Sequence, residues 1–272
     1  MKYLFSTPLL FVLLLGLIAQ AEPVAVRVQL TTGKVYPGTL HSRAAGSVAF
    51  QQSGAKKMIR LPDSQIALIK FKVEKKREKE LNALFDAGEY PELEEKLAAW
   101  LVPTLPYISF PSEQTQAYLR WLAAAYWNGN YDRVGKLAQA FEQSPSEEMK
   151  RGAHIYRGLT LLETGNLPVL ETFLKSPEAD VAYPANSAVR LYIEARLFQK
   201  NKEYTPAIRK AALLIALHSA DADWMPRAEL LCAELYVQLE MPESAESVIT
   251  DINTFYSDPK IKEKAAAIAV SK

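Results

Sequence analysis

Cysteine and histidine are scarce in this 272-residue chain: there is one Cys, at 232, and three His, at 41, 154 and 218. A lone thiol excludes a disulfide framework within one chain, and with it any zinc or iron–sulfur site built from cysteines. The three histidines are too far apart to form a short metal-ligand spacing. A Gly-rich phosphate loop, a Gly-x-Ser-x-Gly elbow and a His-Glu-x-x-His pair are all missing, so nucleotide, esterase and zinc-protease chemistry find no motif. Only 11 Gly accompany 16 Pro, which excludes a collagen-like or low-complexity chain. After the N-terminus, no apolar run reaches membrane-spanning length without charge.

What is present describes an ordinary folded chain, 49% hydrophobic, 23% charged and 10% aromatic. That is room for one large domain, or a small one plus a medium one. Residues 1–21 read MKYLFSTPLLFVLLLGLIAQA: a basic start at Lys2, an apolar run from Leu9 to Ala19, and a small-x-small end at Ala19-Gln20-Ala21. This is the layout of a secretory signal peptide, with cleavage expected after Ala21 and a periplasmic or secreted mature protein. The alternative is an uncleaved anchor, but the apolar run is about half the roughly 20 residues that a bilayer span requires.

Charge divides the remainder. Between Glu22 and Val73 eight basic residues (Arg27, Lys34, Arg43, Lys56, Lys57, Arg60, Lys70, Lys72) face two acidic ones (Glu22, Asp63). From Glu74 onward 23 basic residues face 29 acidic ones, so the balance changes from +6 to −6. A change of sign at one point marks a domain boundary. Residues 22–73 are thus expected to form a small basic β module and 74–272 a separate helical domain.

The module reads with a period near two. Val24, Val26, Val28 and Leu30 alternate with Ala25, Arg27 and Gln29, as a half-buried strand requires. Further strands are expected at Val35–His41, Val48–Gln52, Lys57–Leu61 and Gln65–Val73, separated by Gly- or Pro-bearing turns. Five short strands so joined suit a small closed barrel. The run VRVQLTTGKVYPGTL (Val26–Leu40), with Gly33, Tyr36, Gly38 and Leu40, resembles the opening hairpin of Sm-like small β-barrels, and Ile66 with Ile69 resembles their last strand. That resemblance implies a barrel and, for cytoplasmic relatives, RNA binding. Single-stranded binders interleave aromatics with a basic groove, whereas only Tyr36, Phe50 and Phe71 are aromatic here. No nucleic acid is expected; an anionic surface or polymer, or the acidic remainder of the chain, suits the basic balance better.

From Glu74 the period becomes helical, and a pattern recurs: apolar helix, short turn, second apolar helix. The turns are Ala87–Tyr90, Asn128–Tyr131, Thr164–Leu167, Asn201–Tyr204 and Leu239–Pro242. Taking 88, 129, 165, 202 and 240 as equivalent gives spacings of 41, 36, 37 and 38. Gly at the first three positions stops a helix at low cost. Small residues recur seven before or five after the turn position (Gly158, Ala195, Ala207, Ala233, Ala245), where two helices approach most closely. Larger apolar residues such as Leu84, Phe198 and Tyr236 lie four before it and fill the gap between neighbours.

This pattern resembles the tetratricopeptide repeat, best in Ala228–Pro259 and nearly as well in Tyr118–Pro145. The resemblance covers about 190 residues from Leu81 on and implies a right-handed α-solenoid of helical hairpins. The spacing exceeds the family's usual value of roughly 34. Lys202 and Glu240 replace the turn Gly, Leu167 and Pro168 depart from the pattern, and a Pro-rich insert (Pro103, Pro106, Pro111) separates the first two repeats. The fold expected for the whole is mainly α, a small five-stranded β-barrel preceding a solenoid.

No constellation looks catalytic, and no metal or cofactor is expected. Cys232, between Leu231 and Ala233 on an apolar helix face, is expected to be an inert buried thiol. Carboxylate pairs such as Glu94-Glu95 and Glu147-Glu148 are adjacent, point apart on a helix and suit solvated faces. The family geometry implies a concave face built from the first helix of each repeat, onto which Tyr126, Trp127, Tyr192, Arg196 and Glu234 would project. Aromatics with a neighbouring Arg dominate binding energy at protein interfaces; packing between repeats is the equal alternative. The Lys/Asn/Arg set with which some family members clamp a peptide carboxylate is not present at these positions. The expected function is therefore an exported, non-catalytic adaptor holding an envelope or secreted protein in the concave groove. The alternatives are a module binding cell-wall glycan or anionic polymer, an enzyme without a recognisable motif, and a self-assembling structural protein.

Overall fold

The computed structural model describes residues 23–44, 46–72, 75–257 and 259–268; the expected signal segment lies outside them. The chain divides after Lys72 into two compact units. The first is a single antiparallel sheet of β1 (Val24–Leu30), β2 (Val35–Ala44), β3 (Ser47–Gln52), β4 (Ile59–Pro62) and β5 (Ile66–Phe71), ordered β4-β3-β2-β1-β5. Alternation places Val26, Val28, Leu40, Phe50, Leu61, Ile69 and Phe71 in its core. Gly38 lets β2 pass close over Phe50: a Cβ there would lie 2.3 Å from Gln51 O and 2.5 Å from the Phe50 ring.

The expected closed barrel does not form. β4 and β5 share no ladder and are the two edges of the sheet. Four residues long, β4 ends at Pro62, which has no N–H to donate, and a 3₁₀ turn (Asp63–Gln65) follows at once. So short a strand leaves nothing with which β5 could complete a circle.

Twelve helices occupy the described part of the second unit. Ten form hairpins: α1 (Lys75–Asp86) with α2 (Tyr90–Leu101), α3 (Thr115–Trp127) with α4 (Tyr131–Phe141), and α5 (Glu147–Glu163) with α6 (Leu167–Phe173). The same holds for α8 (Ala188–Lys200) with α9 (Tyr204–Leu217), and for α10 (Met225–Gln238) with α11 (Pro242–Phe255). A short α7 (Pro177–Ala182) precedes α8, and α12 (Pro259–Ala266) follows α11.

One local geometry closes all five hairpins. Gly88, Gly129, Gly165, Lys202 and Glu240 have φ of 67°, 75°, 74°, 62° and 59°. At the first turn Gly88 N–H donates to Phe85 O and Glu89 N–H to Leu84 O; the same pair of bonds recurs at residues 129/130, 165/166, 202/203 and 240/241. These are Schellman closures, which satisfy the last carbonyls of the first helix while reversing the chain. Seven residues before and five after each turn, the side chains are buried: Leu81 and Leu93, Leu122 and Val134, Gly158 and Leu170, Ala195 and Ala207, Ala233 and Ala245. Small residues thus fill these places fully only in the last two hairpins; the first two hold Leu and Val.

Two pieces have no counterpart in the repeat pattern. The Pro-rich insert forms a 3₁₀ helix (Val102–Tyr107) whose buried Thr104 hydroxyl donates to Leu101 O at 2.7 Å, so the Tyr118 hydroxyl, 2.5 Å away, donates to Thr104. Beyond α7, the Tyr183 hydroxyl reaches the carbonyls of His154 and Ile155 at 2.8 and 2.6 Å. It fills the space that a Cβ on Gly158 would need, 2.2 Å from the hydroxyl oxygen.

Two predictions follow from these backbone constraints. Lys202→Gly and Glu240→Gly each relieve a left-handed L-residue and should raise stability by about 0.5–1 kcal/mol, whereas Gly129→Ala should lower it by about 1 kcal/mol. A Cβ on Gly129 meets no atom within 4 Å, so urea unfolding of these variants reads conformation alone. Gly158→Ala should cost about 1–3 kcal/mol, with part recovered when Tyr183→Phe is added; absence of recovery would show that the clash is not with the hydroxyl.

Candidate functional site

The first helices α3, α5, α8 and α10 carry one connected set of aromatic and charged side chains. Tyr126 and Trp127 end α3, immediately before the Gly129 turn, with ring centroids 4.6 Å apart and edge to face. Tyr126 is only 5% exposed, closed in by Tyr156 of α5 at 5.5 Å and Tyr131 of α4 at 5.9 Å. Trp127 is half-buried. The Arg227 guanidinium of α10 lies over its ring, 3.6 Å from the centroid, and 5.8 Å from that of Trp224. Arg227 is aimed by its own Nε–H, which donates to Asp223 O at 2.8 Å. Trp224 in turn packs on Tyr192 of α8 at 5.3 Å.

An ion pair closes the far side. Arg196 Nη1 donates to Glu234 Oε2 at 2.8 Å, joining α8 to α10, and also to Gln199 Oε1 at 2.8 Å. The buried Gln199 amide donates to the same Glu234 oxygen at 3.0 Å and to Gln238 Oε1 at 3.3 Å. At the other end, α12 returns to the first hairpin. Lys260 Nζ donates to Gly88 O at 2.5 Å and lies 3.8 Å from the Glu89 carboxylate. It also stands 5.7 Å from the Tyr90 ring centroid, and Tyr90 is 6.4 Å from Trp127.

Of the five residues proposed from sequence, Tyr126, Trp127 and Tyr192 belong to the chain of rings around Arg227, and Arg196 and Glu234 to the ion pair, one turn along α8 from Tyr192. Trp127, Tyr192, Arg196 and Glu234 remain partly exposed, while Tyr126 is a core residue beneath them. Sequence reasoning missed Arg227, Trp224, Tyr156 and Lys260. A signal for two of them existed: Arg227 precedes Glu234 by seven residues on α10, and Tyr156 precedes Glu163 by seven on α5, a spacing that places each pair on one helix face. Lys260 meets Gly88 across 172 residues, and no local pattern announces such a contact.

Burial shapes the acid–base properties. It pushes the phenols of Tyr126 and Tyr156 well up, the Glu163 charge adding to it at Tyr126, and raises that of Tyr192. Burial works against the Arg196 charge, but Tyr192, Glu234 and Glu163 outweigh it and hold its pKa above the ordinary arginine value. Away from this face, burial, with Glu229 adding to it, raises the Cys232 thiol to about 12, so it stays protonated at neutral pH and is a poor nucleophile. The three histidines sit on different elements: His41 on β2, His154 on α5, where Nδ1 is 3.6 Å from Glu142, and His218 beyond α9, where Nε2 meets Asn186 O at 2.7 Å. Among the described residues no three His, Cys, Asp or Glu side chains gather as a metal site would require, and no helix is long and apolar enough to cross a membrane.

Compared with known proteins, the chain matches no family model, and no curated protein matches it. The functional reading therefore rests on sequence pattern and geometry.

Because Tyr126, Tyr156 and Tyr192 are held neutral in the folded state, the unfolded chain loses phenolic protons first as pH rises. Stability should be intact below about pH 10, the ordinary tyrosine value, and fall above it. Absorbance at 295 nm should show these phenols ionising only together with loss of helical circular dichroism; ionisation with the helices intact would contradict their burial.

Proposed function

We propose that this chain is an exported, non-catalytic adaptor whose helical unit is a tetratricopeptide-like right-handed solenoid holding another envelope or secreted protein. Export is inferred from the layout of residues 1–21. The solenoid reading is supported by five hairpins sharing one closure and by successive packing of α2 on α3, α3 on α5, α5 on α8 and α8 on α10. The small strand module in front of it is the part that resembles Sm-like proteins.

The observation that carries the reading is the half-buried Trp127–Arg227 stack beside Tyr192, Arg196 and Glu234, all on first helices. Trp, Tyr and Arg are the residues that anchor protein interfaces, because each brings a large contact area and a polar end. Here they are fixed by contacts with one another, so a partner would meet a surface whose rotamers are already ordered. Buried Tyr126 supports this surface from below.

The test uses the mature chain as bait in an envelope extract, beside a Trp127→Ala/Arg196→Ala/Glu234→Ala variant checked for unchanged helix content. A control variant, Leu213→Ser, alters an exposed residue of α9. A partner retained by the wild type and the control, and weakened by on the order of a hundredfold in the triple variant, supports the groove. Equal retention by all three overturns the site, and retention of no protein by any of them counts against the adaptor itself.

A further inference from the structure

The sheet unit has a surface that the proposed groove does not use. Between residues 23 and 72 the only acidic residue is Asp63, and Arg43 holds it at 2.7 Å. Three of the remaining cations gather at one end of the sheet. Lys34 lies in the β1–β2 turn, and Lys56 and Lys57 lie in the β3–β4 turn; all three are exposed. The register brings these two turns together. Gly38 pairs with Gln52, and Ser53 N–H donates to Pro37 O at 2.9 Å, so the β3–β4 turn flanks the start of β2. None of the three has a carboxylate partner among the described residues; Arg60 of β4 belongs to the other end, its Nη1 3.5 Å from the Ser47 hydroxyl at the start of β3.

Three large apolar side chains stand among these cations. Val35 is 50% exposed, Met58 53% and Ile59 49%, each within two residues of a Lys or Arg in sequence. The turns that present them are ordered. Gly33 and Gly54 both adopt φ of 82°, and the Gln51 amide donates to Ala55 O at 3.0 Å across the β3–β4 turn.

We infer that this end of the sheet docks on an anionic phospholipid surface, with Lys34, Lys56 and Lys57 at the level of the phosphates and Val35, Met58 and Ile59 reaching the boundary of the acyl chains. A soluble polyanion would satisfy the cations but leave three apolar side chains in water. Single-stranded nucleic acid stacks its bases on exposed aromatic rings, whereas Tyr36 is partly buried and Phe50, paired with Ile59, is fully buried. A leaflet edge offers negative charge and, a few ångströms deeper, hydrocarbon. The inference is independent of the groove on the helical unit.

The test is co-sedimentation of the chain beginning at Glu22, which removes the apolar run Leu9–Ala19, with vesicles of phosphatidylcholine alone or mixed with phosphatidylglycerol. Binding is expected only to the mixed vesicles, and it should weaken as salt rises to about 0.5 M. Lys56→Ala/Lys57→Ala should lower the partition coefficient about 30-fold. Met58→Ser/Ile59→Ser, at exposed positions that leave the core intact, should lower it on the order of tenfold without changing retention on immobilised heparin. Equal binding to both vesicle types, or to neither, overturns the inference. So does a Met58→Ser/Ile59→Ser variant that binds vesicles like the wild type, which would mark a soluble-polyanion site. Tighter binding to single-stranded RNA than to vesicles would likewise replace the lipid by a nucleic acid.

Discussion

A single left-handed residue per hairpin is the constraint on which the helical unit depends. With φ between 59° and 75° at residues 88, 129, 165, 202 and 240, each first helix ends on a Schellman pair of bonds and the chain reverses within three residues. The consequence is register. Arg196 lies six residues before Lys202, and Glu234 six before Glu240. Equivalent positions of neighbouring first helices thus stand side by side, and this is why their side chains meet at 2.8 Å. Side chains near the ends of these helices, such as Tyr126, Trp127 and Gln199, are placed by the same reversal. Lys202 and Glu240 adopt the conformation against its steric cost, roughly 1–2 kcal/mol each, which shows how strongly packing around the turn determines it.

Some of the polar groups buried by this packing are satisfied across hairpins rather than within them. Glu94, expected on a solvated face, is instead only 6% exposed on α2, because it accepts Asn128 Nδ2 at 2.7 Å and Asn130 Nδ2 at 2.8 Å from the next turn. A buried carboxylate without such donors would cost several kcal/mol; with both oxygens bonded it fixes where α2 sits against the α3–α4 turn. The Asn130 Oδ1 also accepts Arg133 N–H at 3.2 Å and so caps α4. One asparagine therefore ties a helix start to the preceding hairpin. The Arg196–Gln199–Glu234–Gln238 network does the same between α8 and α10. Such links set the spacing of the first helices, which apolar packing alone leaves freer to slide.

Much of this was legible in the sequence because it is periodic. The five strands follow from alternation, and the turn residues followed from a spacing of 36–41 residues; Lys202 and Glu240 joined the series through position, not residue type. Closure of the barrel was expected from strand number, but closure depends on the length of the last partners, and β4 is cut short at Pro62. The 3₁₀ helix of the insert and α7 lie between repeats, where no period operates. Tyr183 matters only because Gly158 leaves room for its hydroxyl, a complementarity between residues 25 apart that neither residue signals alone. The candidate site was legible by half. Residues on the same helix faces were in reach of periodicity, whereas Arg227 over Trp127 and Lys260 on Gly88 join hairpins far apart in the chain.

These distant contacts bear on how the proposed groove would work. Arg227 of α10 reaches Trp127 of α3, three hairpins away, and α12 reaches the first turn through Lys260, so helices far apart in the chain are in contact. An exposed cation–π pair is worth about 0.5–1 kcal/mol and a surface ion pair about as little. Neither contact would bar a partner that offered its own aromatic or cationic side chain in exchange. The ordering of the surrounding rings is worth more: about 0.5–1.5 kcal/mol for each side chain that need not be immobilised on binding. Exchange of partners on a prepared surface, rather than creation of a new one, is the kind of recognition this geometry favours. Specificity would then come from which side chain fits between Trp127, Trp224 and Tyr192, and less from net charge, since Arg196 and Glu234 already neutralise each other.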